Sequence, residues 1–206
     1  MNPAIFRIYN NTLIFANKYR KWKLVSKKFD NESDFVKLIE KMGYVLTEFV
    51  NENDNNKRTF IMILSPESPY LRTKEFSRIP TMITKKPKEK IELYIITENP
   101  VTTHIIKKMS SFKTEHKIKC FNYQHAIFLQ VMPEAKNQMI PEFTVYRGDD
   151  IQKILEENMM QNISQCGMIK HYDTQMIWIG AKPGDLIKII GASENSGKRI
   201  ALKRVI

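Results

Sequence analysis

KPGDLIKIIGASENSGKRIALKRVI, residues 182–206, decides the reading of the last third of this chain. Lys182-Pro183-Gly184-Asp185 puts Pro where a β-turn needs φ of about −65° and Gly where a type II turn needs φ above zero. A strand is therefore predicted to start at Leu186. Leu186 to Ile190 is a β-branched run and Ile200 to Ile206 is another, with the turn formers Ser193-Glu194-Asn195-Ser196-Gly197 between them. Two strands joined by a tight polar loop account for the whole stretch.

Upstream of this unit, Asp149 to Met159 is predicted as a helix. Asp149 and Gln152 have the spacing of a capping box, and Ile151, Ile154, Leu155 and Met159 share one face. A linker is predicted at residues 133–141, which begins and ends with Pro. The part before it mixes helices and strands. Ile5, Tyr9, Leu13, Ala16 and Tyr19 predict an amphipathic helix over residues 3–19, and a second starts at Asn31 to Ser33 and stops at Gly43. Tyr44 to Val50 and Thr59 to Leu64 flank Asn53-Asp54-Asn55-Asn56 as a β-hairpin. Residues 65–90 carry Pro66, Pro69, Pro80 and Pro87 and read as an irregular excursion. A strand at Ile91 to Thr97, a helix at Thr102 to Ser110, and strands at Lys117 to Tyr123 and Ile127 to Val131 complete it. The fold class is α+β, with residues 1–132 as a mixed α/β domain and residues 142–206 as a small α+β domain.

The 206 residues, 42% hydrophobic and 10% aromatic, suffice for two small cores. Apolar runs stay well short of the roughly 18 residues that span a bilayer. Ile5 to Ala16 is broken by Arg7, Asn10 and Asn11, so neither a signal segment nor an anchor is read there, and an intracellular, soluble protein without membrane contact is expected. Cys120 and Cys166 form no Cys-x-x-Cys, and His104, His116, His125 and His171 show no paired ligand spacing; neither a metal nor another cofactor is expected. The net charge is +11, yet from Glu142 onward nine bases face eight acids. The excess therefore lies upstream, in clusters at Lys18 to Lys28, Lys85 to Lys90 and Lys107 to Lys119. A basic domain beside a nearly neutral one fits nucleic acid near the first and a protein partner on the second.

Gly191 to Lys198 imitates a phosphate-binding P-loop and fails on chemistry. Five residues separate its glycines instead of four, Arg199 stands where a magnesium-binding hydroxyl belongs, and a strand rather than a helix follows. Glu115-His116-Lys117 and Glu134-Ala135-Lys136 copy the acid-x-Lys pair of metal-dependent nucleases, but chance places such triplets freely in a chain this charged. Pro100-Val101-Thr102-Thr103 leads into a helix carrying Lys107 and Lys108. Thr102 or Thr103 is read as its cap, and the free N–H groups of its first turn, with the two lysines one turn later, suit a phosphate.

His171-Tyr172-Asp173, Ile177 through Ile190, and Ser193 through Gly197 resemble, without a gap, the C-terminal signature of the fifth subunit of DNA-directed RNA polymerase. Phe121 to Val131, Met132-Pro133 and Ile140-Pro141-Glu142 are similar to that family's interdomain bridge. Thr174, Gly191 and Leu202-Lys203 depart from the family's Pro, Arg and Tyr-Arg. The resemblance implies a non-catalytic subunit of the polymerase. Its C-terminal domain is expected to assemble on the largest subunit, and its N-terminal domain, of nuclease-like fold without activity, to form part of a jaw beside downstream duplex DNA. It implies DNA-facing Thr102, Thr103, Lys107 and Lys108, and a subunit interface with His171, Asp173, Trp178, Lys182, Gly184, Ser193, Glu194 and Gly197. Trp178, read from its residue type, belongs either to the core or to an interface. The expected location is the nucleus, or the virion or cytoplasmic replication site of a large DNA virus. The competing reading is a free-standing, sequence-independent nucleic-acid-binding protein related to nucleases.

Overall fold

A computed structural model describes residues 4–52, 54–83, 90–131, 141–193 and 197–206. The chain divides into two units, Met1–Val131 and Met132–Ile206. The linker expected at 133–141 lies outside the described residues except for Pro141.

In unit 1, helix α1 (Ala4–Ile14) runs on as a π-helical turn, Phe15–Tyr19. Its apolar stripe buries Ile5, Ile8, Tyr9, Phe15 and Ala16. Strand β1 (Trp22–Leu24) follows, then α2 (Glu32–Met42). Asn31 caps α2 by accepting the Asp34 N–H at 2.9 Å, and Gly43 ends it in the left-handed region at φ 76°. A Cβ at Gly43 would sit 2.8 Å from Pro69 Cδ, so only glycine fits that stop. Strands β2 (Tyr44–Asn51) and β3 (Asp54–Leu64) form the expected antiparallel hairpin.

Two parallel pairings complete the sheet: β3 with β4 (Lys90–Thr97), and β4 with β5 (Ile118–Gln124), in the order β1-β2-β3-β4-β5. Parallel neighbours need long crossovers, and this corrects the irregular reading over residues 65–83, while residues 84–89 lie outside the described ones. The first crossover carries a 3-10 turn (Pro69–Leu71) and two short helices, α3 (Thr73–Phe76) and α4 (Ile79–Ile83). Their Phe76, Ile79 and Ile83 are buried against Phe60, Met62, Leu93 and Ile95 of the sheet. Prolines near the helix starts are compatible with such short elements, because the first turn has no N–H partner to lose. The second crossover is α5 (Thr103–Glu115), longer than predicted, whose Phe112 stacks on Phe76 at 5.5 Å. On the opposite face an aromatic layer joins α1 to the sheet, with Phe15 6.0 Å from Trp22 and 6.4 Å from Tyr94.

The strand predicted at Ile127 to Val131 is a correction: His125–Phe128 is a 3-10 turn. Phe128 is pulled inward against Phe15 at 5.3 Å, and its carbonyl accepts the Asn11 side-chain N–H at 2.8 Å, a bond an extended chain would forfeit. The same turn buries His125. Burial pushes its pKa down, against the opposing pull of Glu98 and the Ile96 and Leu64 carbonyls. Since the folded value lies below the unfolded one, the neutral ring contributes stability above about pH 6.5 that is lost as pH falls through the folded value. Unit 1 is expected to melt at lower temperature at pH 5.5 than at pH 7.5 by a margin that His125→Gln reduces, with a ceiling of about 1.4 kcal/mol per pH unit. Equal pH sensitivity in wild type and variant would assign the effect elsewhere.

Unit 2 has the sheet order β6-β8-β9-β7. Strand β6 (Glu142–Tyr146) leads to α6 (Asp149–Glu157), and β7 (Gly167–Ile169) and α7 (Thr174–Ile179) precede the hairpin β8 (Leu186–Ser193) and β9 (Gly197–Val205). The hairpin is the one its sequence predicts, antiparallel with Leu186 opposite Arg204. The predicted capping box is not formed. Gly148, at φ 55°, occupies the cap, and Gln152 donates to Glu156 at 2.9 Å. Ile154 and Leu155 bury against Cys166, Leu186 and Leu202, but Met159, expected on that face, is 97% exposed beyond the helix end. Among the described residues, β7 pairs with Lys203 to Val205 alone, so the stretch Gly197 to Leu202 of β9 has no strand on its outer side.

Candidate functional site

In unit 2 the turn Lys182–Asp185 has the geometry its sequence demands. Gly184 sits at φ 94°, and the Asp185 N–H donates to the Lys182 carbonyl at 3.0 Å. Asp185 is 7% exposed, and its Oδ2 accepts from the Lys182 N–H at 2.9 Å and from Arg147 Nε at 3.0 Å. Arg147 also donates to the Gly180 carbonyl at 2.8 Å, where α7 ends in the left-handed region. One guanidinium thus ties the end of β6 to the turn and to the C-terminus of α7. The planar fork of arginine allows two directed bonds at once. The pairing of Arg147 with Asp185 does not stand out in the sequence, because it spans 38 positions.

The turn is sewn to the end of β9 by Gly184 N–H to the Val205 carbonyl at 3.0 Å and Val205 N–H to the Asp185 carbonyl at 2.8 Å. His171 reaches the same end: its backbone N–H donates to the Ile206 carbonyl at 2.8 Å, with ring Nδ1 3.0 Å from that oxygen. Asp173 caps α7 by accepting the Gln175 N–H at 3.0 Å. The structure therefore brings exposed His171, Asp173, Lys182 and Gly184 around the C-terminal end of β9. Trp178 is 1% exposed, on α7 beside the buried Met176 and Ile177. Ser193 and Gly197 lie opposite one another at the far end of the hairpin, about 23 Å away along the strands. Glu194 lies outside the described residues.

Gly184→Val isolates the turn. A Cβ there would meet nothing within 4 Å, so backbone strain is the only penalty. A loss of about 1–2 kcal/mol in unit 2 is expected from urea unfolding. Gly184→Ala should lose nearly as much, whereas a much larger loss for valine alone would mean a steric clash.

In unit 1, Thr102 stands at the N-cap of α5 with φ −67° and ψ 157°, but its side chain makes no capping hydrogen bond. Its carbonyl accepts the Ile106 N–H at 3.0 Å, as an N-cap carbonyl should. Capping by Thr102 is thus positional only, and no side chain of the cap competes for the first-turn N–H groups. Thr102, Thr103 and Lys107 are exposed, with Thr103 and Lys107 one turn apart on one face. Lys108 is half-buried, its Nζ 3.9 Å from Glu115 Oε2. First-turn acids are absent from α5, so the positive end of its dipole stands uncompensated by the helix's own side chains.

Among the described residues, there is no group of three or more His, Cys, Asp or Glu placed to hold a metal ion, and no helix is long and apolar enough to cross a membrane. Residues 134–205 match the family described as RNA polymerase Rpb5, C-terminal domain. The chain is 31% identical over 75 residues to a DNA-directed RNA polymerase subunit Rpo5 of Methanococcus vannielii, an alignment covering 36% of this chain and 95% of the relative.

Proposed function

The chain belongs to the Rpb5/Rpo5 family of RNA polymerase subunits, whose members are non-catalytic, and from that premise we propose that unit 2 docks on the largest polymerase subunit while unit 1 forms part of a jaw beside downstream duplex DNA. The observation that carries the docking is the sorting of the signature residues. His171, Asp173, Lys182 and Gly184 are exposed around one end of β9, the turn held there by the Arg147–Asp185 pair and His171 by the Ile206 carbonyl, while Trp178 is buried. In this reading Ser193, Glu194 and Gly197 extend the interface along the hairpin. Coexpression of the tagged full chain with the largest subunit tests it. Lys182→Glu with Tyr172→Ser, both at exposed positions, should leave melting unchanged and abolish co-purification. Undiminished recovery would exclude this face.

Unit 1 supplies sequence-independent attraction for phosphate, with its nuclease-like scaffold carrying no nuclease chemistry. The uncapped first turn of α5, with Thr102, Thr103, Lys107 and Lys108, is the surface we assign to DNA. The isolated chain should bind duplex weakly and without sequence preference, and should hydrolyse neither NTPs nor nucleic acid. Lys107→Ala with Lys108→Ala should flatten the log-log salt dependence by roughly 0.9 for each phosphate that the protein no longer neutralises. Lys107 should carry most of the change, because Lys108 is already near Glu115. Identical slopes for wild type and double variant would remove α5 from the DNA path.

A further inference from the structure

The outer flank of α5 and the free edge of β5 enclose a groove of about 550 Å³. Val101, Ile106 and Met109 form its apolar wall and Cys120 lies on the β5 side, while Lys113 stands at the rim and Lys119 borders it with its ammonium over the Phe121 ring. The arrangement follows from the helix's registry on the sheet. Ile105 and Phe112 point into the core, which leaves Ile106 half-exposed, 51%, on the flank. Burial pushes the Cys120 thiol up to about 12, so it is a neutral part of the wall and not a nucleophile. β5 is the last strand of its sheet, and among the described residues it pairs with β4 only.

We infer that this groove binds an extended acidic peptide segment of a partner protein, which adds as a strand to the edge of β5 and inserts one bulky apolar side chain between α5 and β5. Three features select that occupant. The open strand edge offers backbone donors and acceptors that an extended chain satisfies. The apolar wall takes a side chain that duplex DNA does not have. The rim lysine Lys113, with no acidic side chain among the described residues that line the groove, favours carboxylates beside the anchor. Nothing in this requires unit 2 to dock or Lys107 to meet DNA.

The test uses the full chain and a fluorescent peptide of about seven residues, a strand's length, with one central phenylalanine flanked by aspartate and glutamate. Anisotropy should show saturable binding that weakens with salt. Replacing the phenylalanine by serine, or the acids by lysine, should weaken it at least tenfold. Ile106→Asp, at an exposed position that folding tolerates, and Lys113→Glu should each do the same. Absent binding, binding indifferent to these variants, displacement of the peptide by duplex DNA, or self-association of the chain blocked by Ile106→Asp would each overturn the inference.

Discussion

Trp178→Ala should abolish the cooperative unfolding of unit 2 at ordinary temperature. The indole is 1% exposed, and α7 buries Met176, Ile177 and Trp178 in succession, so this short helix is covered on nearly all sides. Truncating such a side chain removes its transfer free energy and leaves a cavity, together about 3–5 kcal/mol. A unit of this size holds only a few kcal/mol in total. The chain has two tryptophans, and the other, Trp22, belongs to unit 1, so its fluorescence reports unit 1 alone in this variant. The expected result is an intact Trp22 transition with the unit 2 contribution to circular dichroism melted out, and no recovery of the polymerase partner. A variant that melts like wild type yet fails to assemble would instead make Trp178 a direct contact.

Arg147→Met ranks second. The substitution keeps the aliphatic stem but strands the Asp185 carboxylate, whose side chain is 10% exposed, with the Lys182 N–H as its remaining bond. Leaving a buried carboxylate under-partnered costs about 2–3 kcal/mol, toward the low end for ion pairs because the Arg147 side is half-exposed and water can approach. Trp178 fluorescence during urea unfolding measures it. Adding Asp185→Asn should give back part of the loss, so the double variant should be less destabilised than the sum of the singles. Strict additivity would mean that the two side chains do not support one another. The Gly180 carbonyl loses its donor as well, which predicts a loosened α7 even where the unit stays folded.

These two residues also mark the limits of reading the sequence. The hairpin and its turn were legible because the chemistry is local: Pro183 fixes one dihedral, Gly184 tolerates the other, and β-branched runs flank them. α2 was legible for the same reason, through Asn31 and Gly43 at its ends. α7 was not, since six residues give too short a window for helical periodicity. The 65–83 crossover was misread because its prolines are turn signals in isolation. Only the parallel pairing of β3 with β4 explains why the chain there is pulled over the core. Residues 127–131 carry strand-forming side chains, yet the tertiary pull on Phe128 overrides that preference. Of the site, the signature positions were visible as a string, whereas the gathering of His171, Lys182 and Gly184 at one end of β9 depends on pairings that only the folded sheet supplies.

The short β7 matters for a copy of the chain that has not yet met its partners. Among the described residues, Arg199 to Leu202 faces no further strand on its outer side, with Ile200 54% exposed beside it, which is a template for edge-to-edge aggregation. Arg199 lies on that same stretch. Two such edges brought together would bring the Arg199 side chains of the two copies near one another, so like-charge repulsion works against a self-pairing that the backbone alone would favour. Surplus subunit should therefore stay in solution at moderate ionic strength and precipitate as salt screens those charges.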